Sequence, residues 1–383
     1  MKPSDELLQI FYDWDRIEKG KIIDFDLIGR KKDFPQKYST RQEVRKVLQQ
    51  SIKLFEGDSS EERFIRAKIG ASIAYLDALE GKNIPFRRYI ETTMGITPRI
   101  FPTRYIDAWQ AKVHAAYRSL GYEYTKKGLE VFIRENTLGK DIIRSSFIKF
   151  RDTWLSTFLE WQGIRANIDY EIKFVDEDVY WMNWISTNVD GKIVLRYNIH
   201  KRHTWLRGVT EYLVLHEICG HLVQMISWKE KIRRGEMNPF VGLTSTFTQE
   251  QFLGEGIAQT ISDFIPYQPL SEYGKRALLA DQFYWMVMNN LHVMANAGTS
   301  KNEMFLFVNK YLPRYSMDKL VRDVKEKTKD PLMRTYQYIY GISLYYFSSF
   351  ASTMNSMEKR KFVKSIYSQV TPPRDLIRHY LKS

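Results

Sequence analysis

Cysteine is all but missing from this sequence: Cys219 is the single one in 383 residues, so no disulfide can form within the chain. That usage fits a reducing compartment, and a cytoplasmic location is the expectation. Long hydrophobic runs are missing too. No stretch approaches the roughly 18 apolar residues of a membrane-spanning helix. The opening "MKPSDELLQIFYDWDRIEKG" is broken by charge every few residues, unlike a secretory leader. Nor is there a glycine-rich phosphate loop, a zinc-finger spacing or an RNP-like run. Charge leans one way, with a formal net charge of +13 beside 14% aromatic residues. That balance suits an acidic partner, either a peptide or a nucleic acid. For nucleic acid the charge is the whole case, so a peptide or protein substrate is the expected partner, with no membrane role.

A hydrophobic fraction of 44% beside 27% charged residues is that of a folded chain with one large core or two smaller ones. Apolar residues recur at helical spacing in the first part: Leu7, Leu8, Phe11 and Trp14, then Phe64, Ile65, Ile69, Ile73, Leu76 and Leu79, with Gly81 as a stop. Pro98 and Pro102 break the chain before a further helix. Near residue 170 the period changes, and alternation around Asp190-Gly191 predicts two strands joined by a tight turn. Helical periods return in "QFLGEGIAQTISDFIP", "GKRALLADQFYWMVMNNLHVMANAG" and "TYQYIYGISLYYFSSFAST". Helices, a small sheet, then helices predict an α+β fold that is mostly helical. A helical N-terminal region is expected over 1–125 and a second domain over 126–383.

The stretch "EYLVLHEICGHLVQMISW" places His216, Glu217 and His221 inside an apolar run. On an α-helix, residues four apart lie about 40° apart around the axis, whereas residues five apart lie about 140° apart. Two histidines so spaced share a metal ion only if one extra residue is absorbed as a π-bulge. Gly220, directly before His221, suits such a bulge because it has no side chain. Histidines satisfied inside a core helix are the alternative. A third ligand is offered by "FLGEGIAQ", where Glu255 stands at the start of an apolar helix, followed by the small residues Gly256 and Ala258. A catalytic zinc takes three protein ligands, and a buried carboxylate without a partner is costly. The alternative for Glu255 is a cap at the helix N-terminus. Lesser candidates are His200 and His203 as cleft residues, the basic cluster Arg196, Lys201, Arg202 and Arg207, and Asp263 as an orienting group.

Together the two motifs resemble the H-E-x-x-x-H zinc metallopeptidases that include the microtubule-associated tyrosine carboxypeptidases and the bacterial proteins named for a Q-E-G-L-A motif. The resemblance runs over roughly residues 85 to 350 and is specific at the two metal motifs. It implies a gluzincin-like core in 126–383, with a small antiparallel sheet beside the zinc-binding helix. It implies Zn2+ held by His216, His221 and Glu255, with Glu217 as general base. The implied activity is peptide-bond hydrolysis, carboxypeptidase-like, near peptide or protein C-termini. Tyr338-Ile339-Tyr340-Gly341-Ile342 resembles a further family element, Tyr-Leu-Arg-Gly-Leu. Tyr338 is the expected donor to the developing oxyanion, with Tyr336 and Tyr340 as rivals. The chain departs from the family with Cys219-Gly220 for Gly-Thr, Gly254 for Gln and Tyr340 for Arg. A strand near "VYWMNWIS" or "KIVLRYNIH" is a candidate edge for an extended peptide. A degenerate relative that persists as a regulatory or binding module is the alternative function.

Overall fold

Helices form where apolar spacing predicts them. The computed structural model describes residues 3–164, 168–179, 181–188, 190–267 and 270–381. Its first part holds α1 (Pro3–Ile17), α2 (Arg41–Ser51), α3 (Ser60–Leu79), α4 (Phe86–Thr93), α5 (Thr103–Arg118), α6 (Lys126–Asn136) and α7 (Lys140–Gln162). In α1 the predicted face of Leu7, Leu8, Phe11 and Trp14 is fully buried. Helix α2 opens on a reciprocal cap between Thr40 and Glu43, and α3 opens on Ser59, whose side chain accepts from the Glu62 amide. The Pro98–Pro102 stretch separates α4 from α5, as expected.

The sheet is small and mixed. Strands β2 (Tyr170–Val175), β3 (Asn183–Thr187) and β4 (Ile193–Asn198) lie in the order β2-β4-β3. β3 and β4 form the antiparallel pair predicted around Asp190-Gly191. β2, however, runs parallel to β4, with Tyr170 opposite Ile193, so the purely antiparallel sheet is corrected. Because β4 is central, its backbone is paired on both sides, and "KIVLRYNIH" offers no free edge; β3 does. A two-residue ribbon pairs β1 (Phe25–Asp26) with β5 (Leu243–Thr244).

The remaining chain supplies α8 (Val209–Leu213), a π-helical turn over Val214–Leu222, α9 (Val223–Arg233), α10 (Glu250–Phe264), α11 (Glu272–Asn296), α12 (Lys301–Tyr311), α13 (Met317–Lys329), α14 (Met333–Thr353), α15 (Ser356–Ser368) and α16 (Pro373–Tyr380). Among the described residues no helix is long and apolar enough to cross a membrane. The core falls into two clusters. The larger gathers the sheet and the C-terminal helices together with Ile106, Trp109 and Val113 of α5. The smaller joins α1 to α3 but also takes Phe240, Leu243 and Phe247. Packing therefore runs across residue 125 in both directions. Lys68 of α3, fully buried, pairs with Glu250 at the start of α10 at 2.7 Å and donates to the Leu243 carbonyl. The N-terminal helices thus set where α10, and with it Glu255, sits.

Candidate metal centre

Val214–Leu222 is a π-helical turn set between two α-helical segments, α8 and α9. The extra residue that the five-residue histidine spacing demands is absorbed there. His216 and His221, about 140° apart on an α-helix, are brought to the same side. Their Nε2 atoms lie 3.3 Å apart. Glu255 reaches them from α10, with its Oε2 3.6 Å from His216 Nε2 and 3.7 Å from His221 Nε2. Glu255 lies in the second turn of α10, whose first turn begins at Glu250, so it is not a helix cap.

Gly220, which lies inside the π-helical turn as expected, has a second task. A Cβ added there would lie 2.6 Å from both the Cα and the Cβ of Ala258 on α10. The bare backbone at Gly220 lets the two ligand-bearing helices touch. Gly256 likewise accommodates the Phe347 ring of α14. Gly220→Ala must push α10 away against backbone. The expected cost is about 1–3 kcal/mol of stability by thermal unfolding, together with weakened metal binding. Unchanged stability and metal content would contradict this packing.

The four groups are nearly closed off from water: His216 and His221 are each 8% exposed, Glu217 and Glu255 each 4%. Burial drives the His216 imidazole down to about 3, so it is neutral and able to act as a ligand. Burial would raise Glu255, but His221, His216 and the Tyr340 hydroxyl outweigh it and hold the carboxyl below its usual range. His221 is raised despite its burial, because Glu255, Glu217 and Asp24 all favour its cation. Burial lifts Glu217 to about 7, the His221 charge opposing. Its Oε1 lies 3.8 Å from His216 Nε2 and accepts a hydrogen bond from Nδ2 of the Asn183 side chain, at the start of β3.

Whether a metal suits these atoms can be judged from spacing. Zinc bonds of about 2.0–2.1 Å at tetrahedral angles set ligand atoms about 3.3 Å apart. The three observed separations, 3.3, 3.6 and 3.7 Å, lie close to that value. Glu255 Oε2 is buried with no hydrogen-bond partner within 3.5 Å, although two imidazole nitrogens converge on it at 3.6 and 3.7 Å. A small divalent cation would satisfy all three atoms at once. His216, His221 and Glu255 also form the one group of three or more His, Cys, Asp or Glu side chains with metal-binding spacing among the described residues.

Tyr338, the expected oxyanion donor, has its hydroxyl engaged with another part of the chain. Its hydroxyl accepts the Arg99 backbone N–H at 3.0 Å, and its ring packs edge-on against Phe86 and His292. Two residues along a helix amount to a turn of about 200°, so Tyr336 and Tyr340 face the other way. Their hydroxyls hydrogen bond to each other, and the charges of Glu255 and Glu217 act on both. The Tyr340 ring stacks on Trp285 at 4.2 Å, which fixes its direction.

Other candidates stand apart. His203 Nε2 lies 3.1 Å from the Val179 carbonyl, and His200 accepts the Arg202 amide. Arg202 pairs with Asp178, Arg196 donates to Ser186, and Arg207 lies over the Tyr273 ring. Asp263 is eight residues, about 12 Å, along α10 from Glu255, beside Ser348 and Lys359. Cys219 is buried, and burial raises its thiol, so it is inert. Three residues of the centre escape sequence reasoning: Asn183, Asp24 and Asp281. The Asp24 amide is tied to the Thr244 carbonyl by the β1–β5 ribbon. Desolvation lifts its carboxyl to about 7, with Glu255 adding and His221 opposing. Asp281 of α11 is lifted to about 7 in the same way and accepts from Tyr212, whose ring stands edge-on to His216.

No family model matches the chain, and no curated protein does. Solved structures do. A candidate lipoprotein from Colwellia psychrerythraea aligns with a TM-score of 0.60 at 10% identity, over 89% of this chain and 69% of its own. A candidate lipoprotein of unknown function from Shewanella oneidensis aligns with a TM-score of 0.51 at 13% identity, over 90% of this chain and 73% of its own. At such identities the likeness is one of fold alone.

Proposed function

We propose that this chain is a zinc-dependent peptidase. The observation that carries the reading is the convergence of His216 Nε2, His221 Nε2 and Glu255 Oε2 at near-tetrahedral spacing with Glu217 alongside. His216, His221 and Glu255 would hold Zn2+, whose chemistry there is that of a Lewis acid toward water and a peptide carbonyl. Glu217 takes the proton of the attacking water and delivers it to the leaving amine. Asn183 keeps that carboxylate turned toward the ligands. The Tyr336–Tyr340 pair, in place of Tyr338, supplies the hydroxyl for the developing oxyanion. The open edge of β3 begins at Asn183, so a peptide paired along it would run past Glu217.

The narrower, carboxypeptidase-like reading comes from the family resemblance. It asks for a cation to hold a terminal carboxylate, and the family's arginine position is Tyr340 here. Purified full-length protein incubated with zinc and a peptide library, with products read by mass spectrometry, separates the cases. Stepwise C-terminal trimming supports the carboxypeptidase reading and internal cuts a peptidase of another kind. Zinc retained without any cleavage would leave a binding module instead.

The tyrosines make a separate test. Tyr340→Phe and Tyr336→Phe are expected to lower kcat, the stronger of the two by about 10²-fold. Tyr338→Phe should leave kcat unchanged and cost about 1 kcal/mol of stability. A loss of kcat confined to Tyr338→Phe would reverse the assignment.

A further inference from the structure

The π-helical turn that unites the histidines creates a problem that another part of the chain solves. Within the turn, backbone amides reach five residues back; Val223 N–H still bonds to the Ile218 carbonyl. In α9 the ladder returns to four residues back. Where a five-step ladder becomes a four-step one, carbonyls outnumber amides by one, and a carbonyl at the junction has no main-chain donor. This junction is wholly buried, so water cannot take that place.

The Tyr367 hydroxyl, from α15, donates to the Cys219 carbonyl, between the two ligand histidines. Tyr367 is 2% exposed, and its ring packs against Phe158. Two more bonds fix the same helix pair: Gln224 Nε2 and Trp228 Nε1 both donate to the Ile366 carbonyl, at 3.3 and 3.2 Å. We infer that Tyr367 is a positioning residue that stabilises the π-helical turn and so holds His216 and His221 on one side. The role rests on the metal reading above, although the clamp itself is a property of the protein without metal.

Without the hydroxyl, the Cys219 carbonyl loses its donor, and the turn is free to relax toward a regular α-helix, in which the two imidazoles diverge. Tyr367→Phe removes one oxygen and keeps the ring. Thr93→Val is the control, since Thr93 is also buried and its hydroxyl also donates to a helix carbonyl, that of Tyr89 on α4. Three quantities are measured on each full-length variant: zinc affinity by chelator competition, the visible spectrum of the Co2+-loaded protein, and amide hydrogen exchange of the metal-free protein. Tyr367→Phe is expected to weaken zinc binding by about 10- to 100-fold. It should also shift the Co2+ bands and speed exchange over residues 214–223. Thr93→Val should do none of these. Behaviour of Tyr367→Phe indistinguishable from Thr93→Val overturns the inference. If the parent takes up neither metal, the peptidase reading falls, and exchange over 214–223 alone decides the clamp.

Discussion

His216→Ala combined with His221→Ala is expected to empty the centre. Parent protein should carry about one zinc per chain after dialysis, by elemental analysis, and the double variant close to none. Glu255 by itself is a single carboxylate, and among the described residues Asp24 and Glu217 complete no group of three with it at metal-binding spacing. The loss should also be legible in stability. At free zinc about a hundredfold above Kd, binding stabilises the folded chain by about 2.7 kcal/mol. A chelator should therefore lower the melting temperature of the parent and leave that of the double variant where it is. Full zinc retention by the double variant would dismantle the metal assignment.

Glu217→Gln should separate binding from chemistry. The amide keeps the shape of the side chain and its contact with Asn183, so zinc content and melting temperature are expected to hold. It has no basic oxygen able to take a proton, and kcat should fall by about 10²–10⁴-fold. The change lies in kcat, with KM close to the parent value. A variant as active as the parent would show that some other group moves the proton, and Asp24 would then be the first to examine.

Much of this was legible because it is local. Apolar spacing located α1, α3, α10, α11 and α14, and Asp190-Gly191 located the β3–β4 hairpin. The histidine spacing alone demanded a bulge, since no regular helix lets residues five apart share an ion. What could not be read depends on partners remote in sequence. The parallel pairing of β2 with β4 joins strands that are not neighbours in the chain order, and alternation within either strand does not report it. Asn183, Asp24 and Asp281 come from an edge strand, a two-residue ribbon and a late helix, and no spacing links them to the motif. The choice among the tyrosines is hidden for a different reason. Tyr336 and Tyr340 share a face by their four-residue separation, while Tyr338 does not, but sequence does not say which face of α14 meets α10. Gly220 was noticed for its missing side chain, yet the neighbour that requires it, Ala258, appears only once two helices are packed.

The π-helical turn also bears on how this protein can be related to chains with the shorter H-E-x-x-H motif. Because the bulge absorbs one residue, deleting Cys219 would close the turn to a regular α-helix with His216 and the second histidine four apart, and α9 would keep its direction. Gln224 and Trp228 would stay beside the Ile366 carbonyl, but no carbonyl would be left over for the Tyr367 hydroxyl. A one-codon loss therefore strands one buried hydroxyl of α15 and leaves the rest of that helix contact in place.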